Sequence, residues 1–283
     1  MADEGCLLAV VLDVHPQLSE CDELVSTYLN SFMAFCNFHL ASNTKNTLAV
    51  VAANHNETRF LYPRVQNREE IQHQESRQQD GRLEQLGSIN ISIIEELKEM
   101  MSFNLVVNQS DCLLAGAIGR ALLYIKRREI QHPLGKKINS RILVIKYTSE
   151  AGGHYLNFVN TYLTAQKMHT AIDVFVIGND STLLQQGADI SGGFYHRIDE
   201  VGEMMQNLIL LYSPDISMRK RISAPTKISV DYRASCFCHR NLVEVGNVCS
   251  NCLSVYCMSV PLCTTCHAMF GHVRKPSKNK KKK

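Results

Sequence analysis

The sequence has 283 residues, 45% of them hydrophobic and 20% charged, with a formal net charge of +3. That length and balance suffice for one sizeable core and a small satellite, which excludes a chain disordered throughout. Of the 11 cysteines, Cys6, Cys21, Cys36 and Cys112 are scattered among apolar residues and the rest crowd between Cys236 and Cys266, which excludes a disulfide framework spread along the chain.

The start, Met-Ala-Asp-Glu-Gly, has no basic region, and the apolar run 6–12 is too short for a signal peptide or a membrane span. A cytoplasmic or nuclear chain is expected, so the Asn-x-Ser/Thr triplets at Asn56, Asn90, Asn108 and Asn179 are chance matches. Residues 7–12 read as a buried strand. Leu24, Val25, Tyr28, Leu29, Phe32, Met33 and Cys36 then recur at helical spacing, and 48–53 and 59–62 read as two further strands. The stretch 66–85 is polar and nearly free of apolar periodicity, so an exposed insertion is expected over about 66–88.

A helix is expected near 91–101 and another over 111–128, with Leu113, Leu114, Ala117, Ile118, Ala121, Leu122 and Ile125 on one face. Strands at 142–146, 172–177 and 194–198 alternate with helices at 155–168, 181–186 and 201–211. Short apolar strands alternating with helices predict an α/β fold, a mostly parallel sheet covered on both faces, with no internal repeat visible. Pro214, Pro225 and weak periodicity mark a linker over about 213–230. A cysteine-rich module follows at 231–272 and a basic tail at 273–283, so the body itself is slightly acidic. The tail suits a nuclear-import signal or a loose nucleic-acid contact, or else is a plain solvated end.

Cys249-x2-Cys252 and Cys263-x2-Cys266 are two knuckles ten residues apart. Each lets two thiolates from one tight turn reach one ion, and together they would close a tetrahedron around Zn²⁺ with no open position for substrate. The site is therefore expected to be structural, and the module to depend on it for folding. Cys236, Cys238 and Cys257, with His239, could hold a second zinc, could replace one of the pairs, or could be plain buried thiols; His267 and His272 are expected to be exposed.

Ligands of open parallel sheets bind beyond the strand ends, where Asp13-Val-His15-Pro-Gln17, residues 147–153 and Gly178-Asn-Asp180 lie. P-loop, dinucleotide-binding, serine-hydrolase and His-Glu-x2-His patterns are all lacking. The stretch 183–195 reads as a short helix ended by a turn in which Gly192 and Gly193 permit positive φ. Its Ala188-Asp-Ile-Ser-Gly-Gly193, with Asp13 and Cys112-Leu-Leu-Ala-Gly-Ala-Ile118, resembles the von Willebrand factor A domain over 1–212. That family's Mg²⁺ motif needs hard oxygen ligands, whereas His15, Gln17 and Cys112 stand here where its hydroxyls would be, so Mg²⁺ is not expected.

A degenerate A domain followed by 231–242, the cysteine block and a lysine tail is similar to the smaller A-domain, C4 zinc-finger subunit of general transcription and DNA repair factor IIH (TFIIH). Phe60-Leu-Tyr-Pro63, 140–146 and Leu184-Gln-Gln186 fit the same family. The resemblance implies a nuclear, non-enzymatic subunit of the TFIIH core, acting in transcription initiation and nucleotide excision repair. Its partners would be the complex's larger A-domain/RING-type subunit and the other core subunits, including the helicases. Any DNA contact would be weak or indirect, with no membrane and no small-molecule substrate. Alternatives are a RING-like ubiquitin ligase module, which requires eight metal ligands in alternating order that the Cys-x-Cys opening fits poorly, and a zinc-dependent nucleic-acid-binding protein, for which 231–272 lacks a base-reading helix.

Overall fold

The computed structural model describes residues 5–14, 22–63, 82–102, 112–131, 139–147, 155–214, 216–219, 221, 230–239 and 241–270. The chain divides into two compact units, Met1–Asp231 and Tyr232–Lys283. The larger is built on a six-stranded sheet in the order β3-β2-β1-β4-β5-β6, with β1 Cys6–Asp13, β2 Thr47–Ala53, β3 Thr58–Tyr62, β4 Asn139–Lys146, β5 Ala171–Ile177 and β6 Tyr195–Ile198. All neighbours pair in parallel except β2 and β3, which are antiparallel. This is a von Willebrand factor A-like α/β fold with a small Cys-rich unit after it.

The central strand β1 is buried along its whole length because both faces of the sheet are covered. Leu8, Val10 and Leu12 point into one core, under α1 (Asp22–Ser42) and α2 (Arg82–Ser102). Leu7, Ala9 and Val11 point into the other, under α3 (Leu114–Gln131), α4 (Tyr155–Lys167) and α5 (Thr182–Ser191). Period-two alternation along β1 thus assigns each residue to one of two separate cores.

Helix α2 starts at Arg82, inside the stretch read from sequence as the end of an exposed insertion. Its opening residues, Arg-Leu-Glu-Gln-Leu, are good helix formers with too few apolar positions to show a face, and Leu86 docks against the core. The remainder of that insertion, up to 81, lies outside the described residues.

A second correction concerns the linker. The helical segment 201–212 passes from a 3-10 turn (Val201–Glu203) through α6 (Met204–Asn207) to a π turn ending at Tyr212. Beyond it, 213–214 and 216–219 are bound into the larger unit. The buried guanidinium of Arg141 on β4 donates to the carbonyls of Ser213 (3.3 Å) and Pro214 (3.1 Å), groups that a helix end leaves free. Helix α7 (Ile216–Arg219) then carries Arg219 onto Asp173 of β5 as a bidentate pair, 2.6 Å at each contact, with Phe194 stacked 4.7 Å from the guanidinium. Proline content signalled a linker, whereas these two arginines make the segment part of the core's edge.

The turn after α5 also differs from expectation at one glycine. Gly192 caps the helix at φ 77°, its backbone in the left-handed region. Gly193 has no positive φ; it is required because its backbone passes so close to β5 that a Cβ would overlap the Ile172 carbonyl. Ser191 completes the junction, its hydroxyl accepting from the Ile172 N–H at 3.0 Å. Gly193→Ala is therefore expected to cost about 2–3 kcal/mol by overpacking, against about 1 kcal/mol for Gly192→Ala. Urea titrations of the two variants check the order.

Candidate metal centre

The smaller unit has little apolar material of its own. Its buried cluster consists of Cys249, Tyr256 and Cys263, with Phe237, Cys252, Val260, Cys266, Ala268 and Phe270 partly buried around them. Four two-residue strands, β7 Ala234–Ser235, β8 Leu242–Val243, β9 Asn247–Val248 and β10 Val255–Tyr256, form two hairpins, β7-β8 and β9-β10. Between β9 and β10 lies the turn Cys249-Ser-Asn-Cys252. The Cys249 N–H donates to Ser254 O (2.9 Å), and the Leu253 N–H returns to Cys249 O (2.9 Å).

The turn Cys263-Thr-Thr-Cys266 repeats this pattern: Cys263 N–H to Ala268 O at 2.9 Å, and His267 N–H to Cys263 O at 3.0 Å, closed by a bridge between Leu262 and Met269. Leu253 and His267, at matching positions, both adopt the left-handed region, φ 62° and 58°. Each turn aims two sulfurs inward at one point. His267 is thus an exposed turn residue rather than part of either ligand cluster; His272 lies outside the described residues.

The two turns meet. Cys249 and Cys266 sulfurs are 3.6 Å apart and Cys252 and Cys263 sulfurs 3.5 Å apart, and all four lie within 4.8 Å of one another. A disulfide would need about 2 Å, whereas a tetrahedral zinc with bonds of about 2.3 Å has sulfur–sulfur edges of about 3.8 Å. Four soft donors at that spacing fit a zinc ion and offer a hard cation nothing.

Polar neighbours orient the sulfurs. The buried Tyr256 hydroxyl lies 3.1 Å from the Cys263 sulfur and accepts the Thr264 N–H at 3.0 Å. Ser254 lies 3.1 Å from the Cys252 sulfur and donates to Thr265 (3.0 Å), tying one turn to the other. Burial opposes ionisation of Cys263, yet the Tyr256 hydroxyl and the N–H groups of Cys266 and Thr265 pull its thiol down to about 5. Partners of metal-ligating sulfurs typically contribute 10–100-fold to affinity. Tyr256→Phe is expected to speed zinc release to a chelator by roughly tenfold, with the fold retained, as followed with a chromogenic chelator.

A second group forms around Cys236, Cys238, His239 and Cys257, whose ligand atoms also lie within 4.8 Å of one another. Cys238 and Cys257 sulfurs are 3.3 Å apart, and His239 Nδ1 is 3.2 Å from the Cys257 sulfur. His239 therefore joins the three cysteines that the sequence had left open, and none of them stands in for a member of the Cys249 group.

In the larger unit, Asp13 sits at the end of β1, fully buried. Its carboxylate accepts the Tyr147 N–H at 3.3 Å, and the Tyr28 hydroxyl donates to its carbonyl at 3.4 Å. Cys112 hydrogen-bonds the same carboxylate; burial first, then the Asp13 charge, pushes its thiol well above the usual range. The buried ammonium of Lys146, at the end of β4, is near enough to draw that thiol partly back. Asp13 thus faces an amide, a neutral thiol and a nearby positive charge, a poor setting for a divalent cation. His15 and Gln17 lie outside the described residues.

Both units fall within a known family. The family model for transcription factor Tfb4 matches residues 6–267, spanning both the sheet and the cysteine block. The chain belongs to the Tfb4 family. General transcription and DNA repair factor IIH subunit tfb4 of Schizosaccharomyces pombe is 31% identical over 272 residues, covering 95% of this chain and 90% of that protein. General transcription factor IIH subunit 3 of Dictyostelium discoideum is 33% identical over 254 residues, covering 86% and 68%. Among solved structures, the TFIIH p34 N-terminal domain superposes with a TM-score of 0.61 at 21% identity, over 74% of this chain and 98% of that one, which shows a shared fold.

Other residues of this Tfb4-family chain gave little sequence signal. Tyr256, Ser254 and Thr265 act through hydroxyls whose relevance shows only when the turns fold together. The Asp173–Arg219 pair spans 46 positions, beyond the reach of any local pattern. Gln186, quoted for its resemblance alone, is buried and donates to the Asp231 carbonyl at 2.6 Å, fastening the last residue of the larger unit.

Proposed function

We propose that this chain is a non-catalytic structural subunit of the TFIIH core, acting in the nucleus in transcription initiation by RNA polymerase II and in nucleotide excision repair through protein–protein contacts. The observation that carries this reading is a family match running unbroken through both units, from residue 6 to 267. The arrangement of each unit is consistent with it. Cys249, Cys252, Cys263 and Cys266 would hold one Zn²⁺ in a closed all-sulfur shell, which supplies folding energy and leaves no position for a substrate. Asp13, the residue an A domain would offer to Mg²⁺, is engaged by protein donors beside Lys146, so no Mg²⁺ is expected there.

The partners of this reading are the larger A-domain/RING-type subunit and, with it, the other core subunits including the helicases. DNA contact is weak or indirect. Among the described residues no helix is long and apolar enough to cross a membrane. Co-expression with the larger subunit tests the reading: the full chain should co-purify with it at one-to-one stoichiometry through a salt wash. A chain that stays free when both proteins are folded would overturn it.

A further inference from the structure

The Cys249 and Cys263 turns share a backbone signature, in which the N–H of the first cysteine donates to the carbonyl five residues on. The same bond occurs a third time: the Cys236 N–H donates to the Asn241 carbonyl at 2.9 Å, in the turn between β7 and β8. In this third turn the position three residues after the first ligand is His239, where the others have Cys252 and Cys266. The smaller unit thus repeats one turn three times, twice within a hairpin and once inside the Leu262–Met269 bridge. The repeat escapes the sequence because only the ligand positions recur, and one of them has changed from cysteine to histidine.

Two knuckles close the Cys249 group, which leaves the third without a partner knuckle. Its remaining ligands are Cys238 and Cys257. Cys238 lies inside the turn itself, and Cys257 follows β10, which the Phe237 N–H fastens to this knuckle through Val255 O at 2.8 Å. We infer that Cys236, Cys238, His239 and Cys257 form a second, Cys₃His zinc site whose ligands interleave along the chain with those of the Cys249 site. The donor set is as soft as the first, with three sulfurs and one imidazole nitrogen. Its observed edges of 3.2 and 3.3 Å are slightly tighter than the about 3.6–3.8 Å expected around zinc, and well beyond a covalent bond.

The two sites differ in access. Cys249 and Cys263 are fully buried, whereas Cys238 and His239 are exposed. The second zinc is therefore the one a chelator reaches first.

The test is metal analysis of the full-length protein purified under reducing conditions. Two zinc ions per chain are expected, released to a chelator in two phases of one ion each. His239→Ala should lose the fast phase and keep one ion, whereas Cys263→Ser, which removes the buried shell that folds the unit, should lose both. His239→Cys, which keeps four ligands, should retain two ions and move the visible bands of the Co²⁺-loaded protein toward those of an all-thiolate site.

One zinc per chain, removed by Cys263→Ser and untouched by His239→Ala, would overturn the second site while leaving the first. Absence of zinc altogether would sink both. An unchanged Co²⁺ spectrum in His239→Cys would remove His239 from the ligand set, even if His239→Ala proved too unstable to assay. A count of two fewer free thiols in the metal-free protein would replace the site with a Cys238–Cys257 disulfide.

Discussion

Cys263→Ser is expected to unfold the smaller unit completely while leaving the larger one intact. Cys263 is fully buried, 3.5 Å from the Cys252 sulfur and 3.1 Å from the Tyr256 hydroxyl. Its serine replacement is a hard oxygen in a soft shell. Binding of a structural zinc contributes on the order of 10 kcal/mol in domains of this kind. Ordering backbone costs about 1–2 kcal/mol per residue, and a buried cluster of Cys249, Tyr256 and Cys263 cannot offset that for a unit of this length. Limited proteolysis should cut the variant between 232 and 270, where the parent resists. The larger unit, with its two separate cores, should keep its thermal midpoint. Zinc removal from the parent by a chelator should give the same fragments.

The largest expected effect in the larger unit comes from Arg219→Ala. Arg219 and Asp173 are buried together, with side chains 7% and 1% exposed. Asp173 accepts one further bond, from the Phe194 N–H at 3.0 Å. Truncating the arginine leaves a carboxylate charged and buried with one neutral donor, a change that typically costs about 3–5 kcal/mol. In a unit of this size the melting temperature should fall by roughly 10 °C. The double variant Asp173→Asn/Arg219→Met should recover a good part of that loss, because no charge remains buried. Similar losses in the single and double variants would mean that the pair stabilises nothing beyond its packing.

How far the sequence spoke for itself follows from the reach of each signal. Strand positions were legible because residues covered on both faces must be apolar throughout, as 7–12 and 172–177 are. The opening of α2 was not legible, since its first five residues, Arg-Leu-Glu-Gln-Leu, carry too few apolar positions to show a periodic face. The segment 213–219 read as a linker because its attachments are made by Arg141 and Arg219 to backbone and to a distant aspartate. In the cysteine block, spacing pointed to two knuckles and left the remaining ligands open.

A Cys-x2-His knuckle was hidden by Cys238 between its two ends, which made the opening look like Cys-x-Cys. With His239 counted, the eight candidate ligands interleave between two groups along the chain in runs of three, two, one and two, which is not the pairwise alternation that the ubiquitin-ligase alternative requires. Interleaving is a way of bracing a small unit. Among the described residues of 232–270 no helix accompanies it.

The central claim is membership of a working TFIIH core, and reconstitution tests it most directly. Core complexes assembled without the resident Tfb4-family subunit would be supplied with this chain, zinc-loaded or zinc-stripped, and assayed for assembly and for DNA opening. The account predicts that the zinc-loaded chain enters the complex and restores opening, that the stripped chain does not, and that the chain alone shows no ATPase or ubiquitin-transfer activity. A zinc-loaded, folded chain that stays outside the complex, or one with catalytic activity of its own, would contradict it.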